Sequence, residues 1–147
     1  KGSFNLTTKY CTDSFYGIVD NKTELEPSDD AATVNWGSEW QMPSEEQLDE
    51  LYSSSYTTTT WTTMNGVYGR EITSKSNGNS IFLPAAGYRS DTSLNNAGSC
   101  GYYWSRSLDT SRSNYACYLY FYSSNINSNY YYYRYYGQGV RPVRVKK

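Results

Sequence analysis

Tyr118-Leu119-Tyr120-Phe121-Tyr122 alternates two kinds of large side chain with a period of two. Successive side chains of an extended chain point to opposite faces, so this segment reads as a strand. Leu119 and Phe121 carry no polar atom and belong on a core face, which leaves Tyr118, Tyr120 and Tyr122 pointing outward. The surroundings are skewed the same way: of the 18 tyrosines, 12 lie between Tyr102 and Tyr136. From Ser105 to Gly137 there is no Lys, Glu, Gln, Met or Trp, although Lys22, Glu45, Gln47, Met64 and Trp61 all stand upstream. Codons ending in a pyrimidine encode none of those five residues. They do encode Asn, Tyr, Ser, Cys, Arg, Asp and Ile, which is nearly what the stretch contains. Scrambling the adenines of Asn codons gives this composition. The C-terminal third therefore reads as a recognition surface written by a randomising process, and the remainder as the scaffold that holds it.

A chain of 147 residues is expected to be one domain, 1–147, large enough to bury a core. Within it, about 1–98 reads as scaffold, about 99–137 as a variable ligand-binding region and 138–147 as a closing strand. The formal net charge of −1 gives the whole chain no pull toward nucleic acid or a membrane surface. Asp109 is the last acid; Arg112, Arg134, Arg141, Arg144, Lys146 and Lys147 follow it. Screening confines such a patch to about 8–10 Å. No apolar run approaches the roughly 20 residues that span a bilayer. The chain starts at Lys1 and is expected to be a processed or trimmed piece. Cys11, Cys100 and Cys117, odd in number and widely spaced, are no disulfide framework, and the last two read as chance small residues. There is no histidine, which removes the commonest general base, the commonest zinc ligand and the usual partner of a Ser or Cys nucleophile. The expectation is a non-catalytic chain with no cofactor and no metal.

Local signals divide the scaffold. Tyr16–Val19 is expected as a short strand, with a turn at Asp20-Asn21-Lys22. Ser28 is the expected cap of a first helix, with Asp29 and Asp30 at its positive end and Gly37 as its stop. Ser44 with Gln47 three residues on makes a capping box for a second helix, whose apolar stripe is Leu48, Leu51 and Tyr52. The Thr- and Tyr-rich run Ser53–Thr63 favours a strand. Asn65-Gly66 and Asn77-Gly78 mark hairpins, with strands over Tyr68–Thr73 and Ser80–Leu83. After the central strand, Ser123–Asn129 reads as a turn region, Tyr130–Tyr136 as a strand or extended loop, and Val140–Val145 as the last strand.

Several blocks then add up: Asn35-Trp36-Gly37, Trp40-Gln41-Met42-Pro43-Ser44, Ile81-Phe82-Leu83-Pro84-Ala85-Ala86-Gly87-Tyr88-Arg89, Gly101-Tyr102-Tyr103-Trp104-Ser105 and Gly139-Val140-Arg141-Pro142-Val143. In this order they resemble the Fibrobacter succinogenes major paralogous domain family of secreted and surface proteins of Bacteroides-type bacteria. The resemblance implies an α+β, C-type lectin-like fold of the branch related to formylglycine-generating enzymes, with two short helices on a twisted, mostly antiparallel sheet. It also implies kinship with the variable proteins of diversity-generating retroelements, whose C-terminal binding surface is rewritten at adenines. It makes Trp40, Pro43, Leu83, Pro84, Gly87, Trp104, Val140, Arg141 and Pro142 scaffold, and Arg134 structural. The family usually shows Trp-Ser-Ser-Ser where this chain has Trp104-Ser105-Arg106-Ser107, so Arg106 is expected to be variable.

Tyr, Ser, Asn and Arg are the residues of antibody-like paratopes, because Tyr offers large contact area and a hydroxyl at low rotamer cost. The expected ligand-binding set is Arg106, Arg112, Ser113, Asn114 and Tyr115, then Tyr118, Tyr120 and Tyr122, then Asn127, Asn129 and Tyr130, and finally Tyr131, Tyr132, Tyr133, Tyr135 and Tyr136. The expected partner is a protein or glycan receptor, with no nucleic acid and no membrane span, at the outside of a bacterial cell or on a phage tail. The alternative is a surface structural or adhesin module whose tyrosines are ordinary strand residues, since strands favour Tyr in any case. Two other constellations are weaker. Glu26-Pro27-Ser28 is similar to the Glu-Pro-Asn of calcium-dependent lectins, but Ser replaces the amide and helix capping accounts for it. Formylglycine generators need a reactive, copper-handling cysteine pair, and Cys100 and Cys117 do not match it.

Overall fold

The alternation at Leu119 becomes the middle strand of a three-stranded sheet. In the computed structural model, which describes residues 6–145, α1 (Ala31–Trp36), β1 (Trp40–Gln41) and α2 (Glu45–Tyr52) come first. They are followed by β2 (Thr57–Met64), β3 (Val67–Ser74), β4 (Ser80–Pro84), β5 (Tyr88–Ser90) and β6 (Ser93–Asn95). The chain ends with β7 (Gly101–Leu108), β8 (Tyr115–Tyr122), β9 (Asn125–Tyr133) and β10 (Val143–Arg144). These strands pair antiparallel in four small sheets, β1–β10, β2–β3–β4, β5–β6 and β7–β8–β9. Isolated parallel bridges, such as Tyr103 with Gly139, stitch them together. The architecture is α+β, with the strands divided among several sheets.

Leu119 and Phe121 are both 0 % exposed and pack with Leu48, Ile72, Leu83, Ala85 and Tyr103. Helix α2 lies on this side of β8, and its stripe is the expected one: Leu48 is buried, with Leu51 and Tyr52 packed against the cluster. Its capping box forms as the spacing requires. Gln47 N donates to Ser44 Oγ at 3.2 Å, and Ser44 N donates to Gln47 Oε1 at 3.0 Å. At the β2–β3 turn Asn65 and Gly66 have φ of 50° and 79°, the left-handed pair that a two-residue hairpin of this twist needs.

Helix α1 starts later than its sequence signal. Its cap is Asp30, not Ser28: Asp30 Oδ1 accepts from Ala32 N at 2.8 Å and Thr33 N at 2.9 Å. The buried Asp30 carboxylate also accepts from Met42 N at 2.8 Å, through Oδ2, so one side chain holds the helix start and the strand that returns beside it. Asp30→Ala removes the cap and leaves a buried N–H without a partner. It is expected to cost about 2–4 kcal/mol, read as a lowered urea midpoint, whereas Asp30→Asn, which keeps an acceptor, should cost clearly less.

Other segments also depart from their local signals. Among the described residues Tyr16–Val19 forms no strand and makes one bridge, between Thr7 and Gly17; the loop is organised by Asp20, whose carboxylate takes Tyr10 N and Cys11 N at 2.8 Å each. Asn125–Asn129 is not a turn but the first half of β9. The pairing Phe121↔Ile126 carries Ile126 against the core, and the reversal contracts to Ser123–Ser124. The closing strand contracts to Val143–Arg144, because Pro142 has no N–H to give a ladder. The β5–β6 hairpin, with Asp91 at φ 53° in its turn, had no sequence signal.

Candidate functional site

The opposite face of β8 carries Tyr118, Tyr120 and Tyr122, and the strands on either side add rings to it. From β7, Tyr102 pairs with Tyr120 and Trp104 with Tyr118. On β9 the ladder slips: Cys117 is opposite Tyr131 but Tyr118 is opposite Asn129, which leaves Tyr130 as an extra residue. A bulge of this kind re-aims side chains. Here it brings both Tyr130 and Tyr132 to Tyr118, with ring centroids 6.0 and 6.1 Å away, and leaves Tyr131 on the α2 side, where its hydroxyl donates to Glu45 Oε1 at 3.0 Å.

The contacts form an unbroken chain of rings. Tyr122 meets Tyr120 at 5.7 Å, Tyr120 meets Tyr130 at 5.4 Å, and Tyr118 links Tyr130 to Tyr132. Tyr132 stacks on Tyr136 at 4.6 Å, and Tyr136 meets Tyr133, which lies 4.5 Å from Tyr115. The Arg112 guanidinium closes the row 4.2 Å above the Tyr115 ring, steered there by its ion pair with the buried Asp109 at 3.2 Å. Tyr135 stacks on Tyr133 at 5.0 Å. Offset and edge-on ring pairs at these spacings are mutually favourable, so the row is pre-ordered rather than a set of independent side chains; it passes round the end of the sheet, because Tyr115 and Tyr133 share the side of Cys117 and Tyr131 in the ladder.

Burial divides this face into a floor and a contact layer. Tyr118 is 7 % exposed and Tyr102 8 %, whereas Tyr130 is 37 % and Tyr135 46 % exposed. Tyr118 is thus on the outer side of the sheet, as the alternation requires, but roofed by its neighbours. Burial raises the Tyr118 and Tyr120 phenols, and burial with the Tyr136 hydroxyl pushes Tyr132 up to about 12. On the core side, burial pushes Tyr103 up to about 12 as well. Free tyrosine titrates near 10, so the unfolded chain releases these protons first. The contribution of these phenols to stability is expected to be level below about pH 10 and to be lost as pH rises through about 12, checked by denaturant midpoints alongside tyrosinate absorbance.

Four of the expected site residues lie apart from the ring chain. Arg106 is half-buried and tied to the N-terminal segment, its Nε 3.2 Å from Glu24 Oε2 and its Nη1 3.4 Å from the Met42 carbonyl. Ser113 is 1 % exposed, and its Oγ accepts from Thr12 N at 2.9 Å. Asn114 uses its carbonyl to accept from Arg134 N at 3.0 Å. Tyr131 is on the α2 side. Asn127 and Asn129 flank the rings, opposite Tyr120 and Tyr118 on β9. Arg134 is structural: its Nη1 donates to the carbonyls of Ser113 at 2.8 Å and Tyr10 at 3.2 Å, tying the loop before β8 to the N-terminal segment.

Sequence reasoning missed Tyr88, Tyr102 and Arg70; Trp104, read as scaffold, packs on the Leu108–Ala116 cluster and meets Tyr118 at 5.8 Å. Tyr102 and Trp104 were legible from the same period-two rule, since they flank the inward Tyr103. Tyr88 has no such signal; it reaches Tyr102 at 4.9 Å and Tyr136 at 5.4 Å from the β5–β6 hairpin. Arg70 is buried beneath the β8–β9 turn and donates from Nη2 to the carbonyls of Tyr122 at 2.9 Å and Ser123 at 3.2 Å, which anchors that end of the face. Cys117 is 0 % exposed, its Sγ donates to Glu45 Oε2 at 3.3 Å, and burial raises its thiol well above the ordinary range, so it does not supply a thiolate.

A family model described as "Domain of unknown function (DUF8237)" matches residues 62–143, which takes in the whole ring chain and leaves out both helices. No curated protein and no solved structure matches the chain.

Proposed function

We propose that this chain, which belongs to the family described as "Domain of unknown function (DUF8237)", is a non-catalytic ligand-binding protein that grips a protein or glycan receptor with its tyrosine face. The observation that carries the reading is the continuous row of rings from Tyr122 to Tyr115, ending on Arg112. Large rigid aromatics lose little rotamer freedom on binding, and hydroxyls at their tips adapt to many partners. The core behind them holds their spacing, so the ordering cost is met at folding rather than at association.

The same reading includes a C-type lectin-like scaffold and diversification of the face at adenines, in a protein at the outside of a bacterial cell or on a phage tail. The two helices and small antiparallel sheets support the scaffold, and the codon bias supports the diversification. Burial limits where diversification is tolerable. A template copy is expected to differ at exposed positions such as Tyr130 and Tyr135 and to agree at Leu119, Phe121, Ser113 and Ser128, which are at most 1 % exposed. The rival reading, a structural or adhesin module whose tyrosines pack only on one another, draws on the burial of Tyr118. Glycan-array and bacterial-cell binding screens with a Tyr-depleted control separate the two. Retained staining by the depleted chain would overturn the tyrosine face as the binding surface.

A further inference from the structure

On the side of β8 opposite the tyrosines, a cleft of about 180 Å³ opens between α2, β4 and residues 141–143. Leu48, Leu83 and Leu119, at 2 %, 1 % and 0 % exposure, close its floor with Tyr103 and leave almost none of their own surface open to it. Leu51 and Ile81, only half-buried, form the rim. The Tyr103 hydroxyl is already committed, donating to the Pro84 carbonyl at 2.7 Å, so the interior offers no free polar group from that ring. An apolar cavity of roughly 150 Å³ lined by such residues stays dry and takes up a benzene-sized molecule.

The cleft differs from a packing void in what lines it besides hydrocarbon. Arg141 lines it, is solvent-exposed, and has no hydrogen-bond or ion-pair partner among the described residues. Gln47 lines it too; its Oε1 is held by Ser44 N in the capping box, so the amide that remains presents N–H donors. Among the described residues no acid lines the cleft, and Glu50 belongs to the neighbouring depression beyond Gln47 and Leu51. A guanidinium without a hydrogen-bond or ion-pair partner among the described residues, with amide donors around an apolar slot, matches a ligand with a carboxylate head and a hydrocarbon tail.

We propose that this cleft binds a short aliphatic carboxylate, its tail against Leu51, Ile81 and Val143 above the Leu48–Leu83 floor and its head on Arg141. The tail that fits is roughly four to six carbons, the size class of the benzene-filled cavities. The site is separate from the tyrosine face and does not depend on how that face is read.

The test titrates the full chain with acetate, butyrate, hexanoate and hexanol, followed by calorimetry and by the methyl NMR shifts of Leu48 and Leu119. Hexanoate is expected to bind saturably, with affinity rising about fourfold per added CH2 from butyrate. Arg141→Gln, at an exposed position, should weaken hexanoate about tenfold and leave hexanol unchanged. Leu51→Trp, which fills the rim, should abolish both. Absence of saturable hexanoate binding, equal affinity for acetate and hexanoate, or an Arg141→Gln chain that binds hexanoate as tightly as the parent would each overturn the proposal. These three results stand whether or not the Trp variant folds.

Discussion

Replacing Tyr122, Tyr130 and Tyr135 together by Ala is expected to weaken staining of receptor-bearing cells by about a hundredfold or more. The three positions sample both ends and the middle of the ring row, and Tyr130 and Tyr135 are among its exposed members. Buried aromatic anchors at an interface each cost about 2 kcal/mol or more when truncated, and the losses are not additive, so a hundredfold is a floor rather than a sum. Tyr118 is deliberately spared, because it is part of the floor and its loss would mix stability with binding. Tyr131→Ala is the matched control: it removes a Tyr from β9, the strand of Tyr130, but from the side where it meets Glu45, and should change staining by less than about threefold. Thermal melts of both chains complete the comparison. A triple variant that melts like the parent and stains like the parent would sink the receptor-face reading.

Phe121→Ala is expected to have the largest effect on stability, about 3–5 kcal/mol, read from urea unfolding. The ring is wholly buried, stacks near Tyr103 with centroids 6.0 Å apart and meets the edge of Trp61 at 6.4 Å. Against a total of about 5–15 kcal/mol for a domain, that loss is a large share of what holds the chain folded. The physical cause can be checked by coupling. Gly101 is directly opposite Phe121 in the β7–β8 ladder, and a Cβ there would come within 2.0 Å of the Phe121 ring. Gly101→Ala should therefore be strongly destabilising in the parent. In the Phe121→Ala background the obstructing ring is gone, and the same change should cost much less. Simple additivity of the two changes would show that the Gly101–Phe121 contact is not what sets the cost.

What could be read ahead of the fold was whatever depends on near neighbours in the chain. The Ser44–Gln47 box, the Asn65-Gly66 turn and the α2 stripe all rest on contacts within a few residues, where spacing alone determines geometry. A Ser before acids is a good local signal for a cap, and that signal points to Ser28. Asp30 prevails because its carboxylate also meets Met42 N, 12 residues away, and only the folded chain creates that partner. Asn125–Asn129 looked like a turn by composition, yet pairing with β8 and the burial of Ile126 outweigh weak strand propensity.

The candidate site divides along the same line. Alternation at 118–122 determined which residues of β8 are core and which belong to the outer face, because side-chain direction in a strand has a period of two whatever surrounds it. Composition marked the stretch as unusual but treated its residues alike, and so placed Arg106, Ser113, Asn114 and Tyr131 with the rings. Tertiary structure sorted them. The β9 bulge at Tyr130 turned Tyr131 to the α2 side, Ser113 was drawn into the frame by Thr12, and Tyr88 arrived from a separate hairpin. Those placements rest on pairing register and on contacts between segments distant in the chain. Such terms are decided by which arrangement buries the most apolar surface with its polar groups satisfied, and no single stretch of sequence contains them.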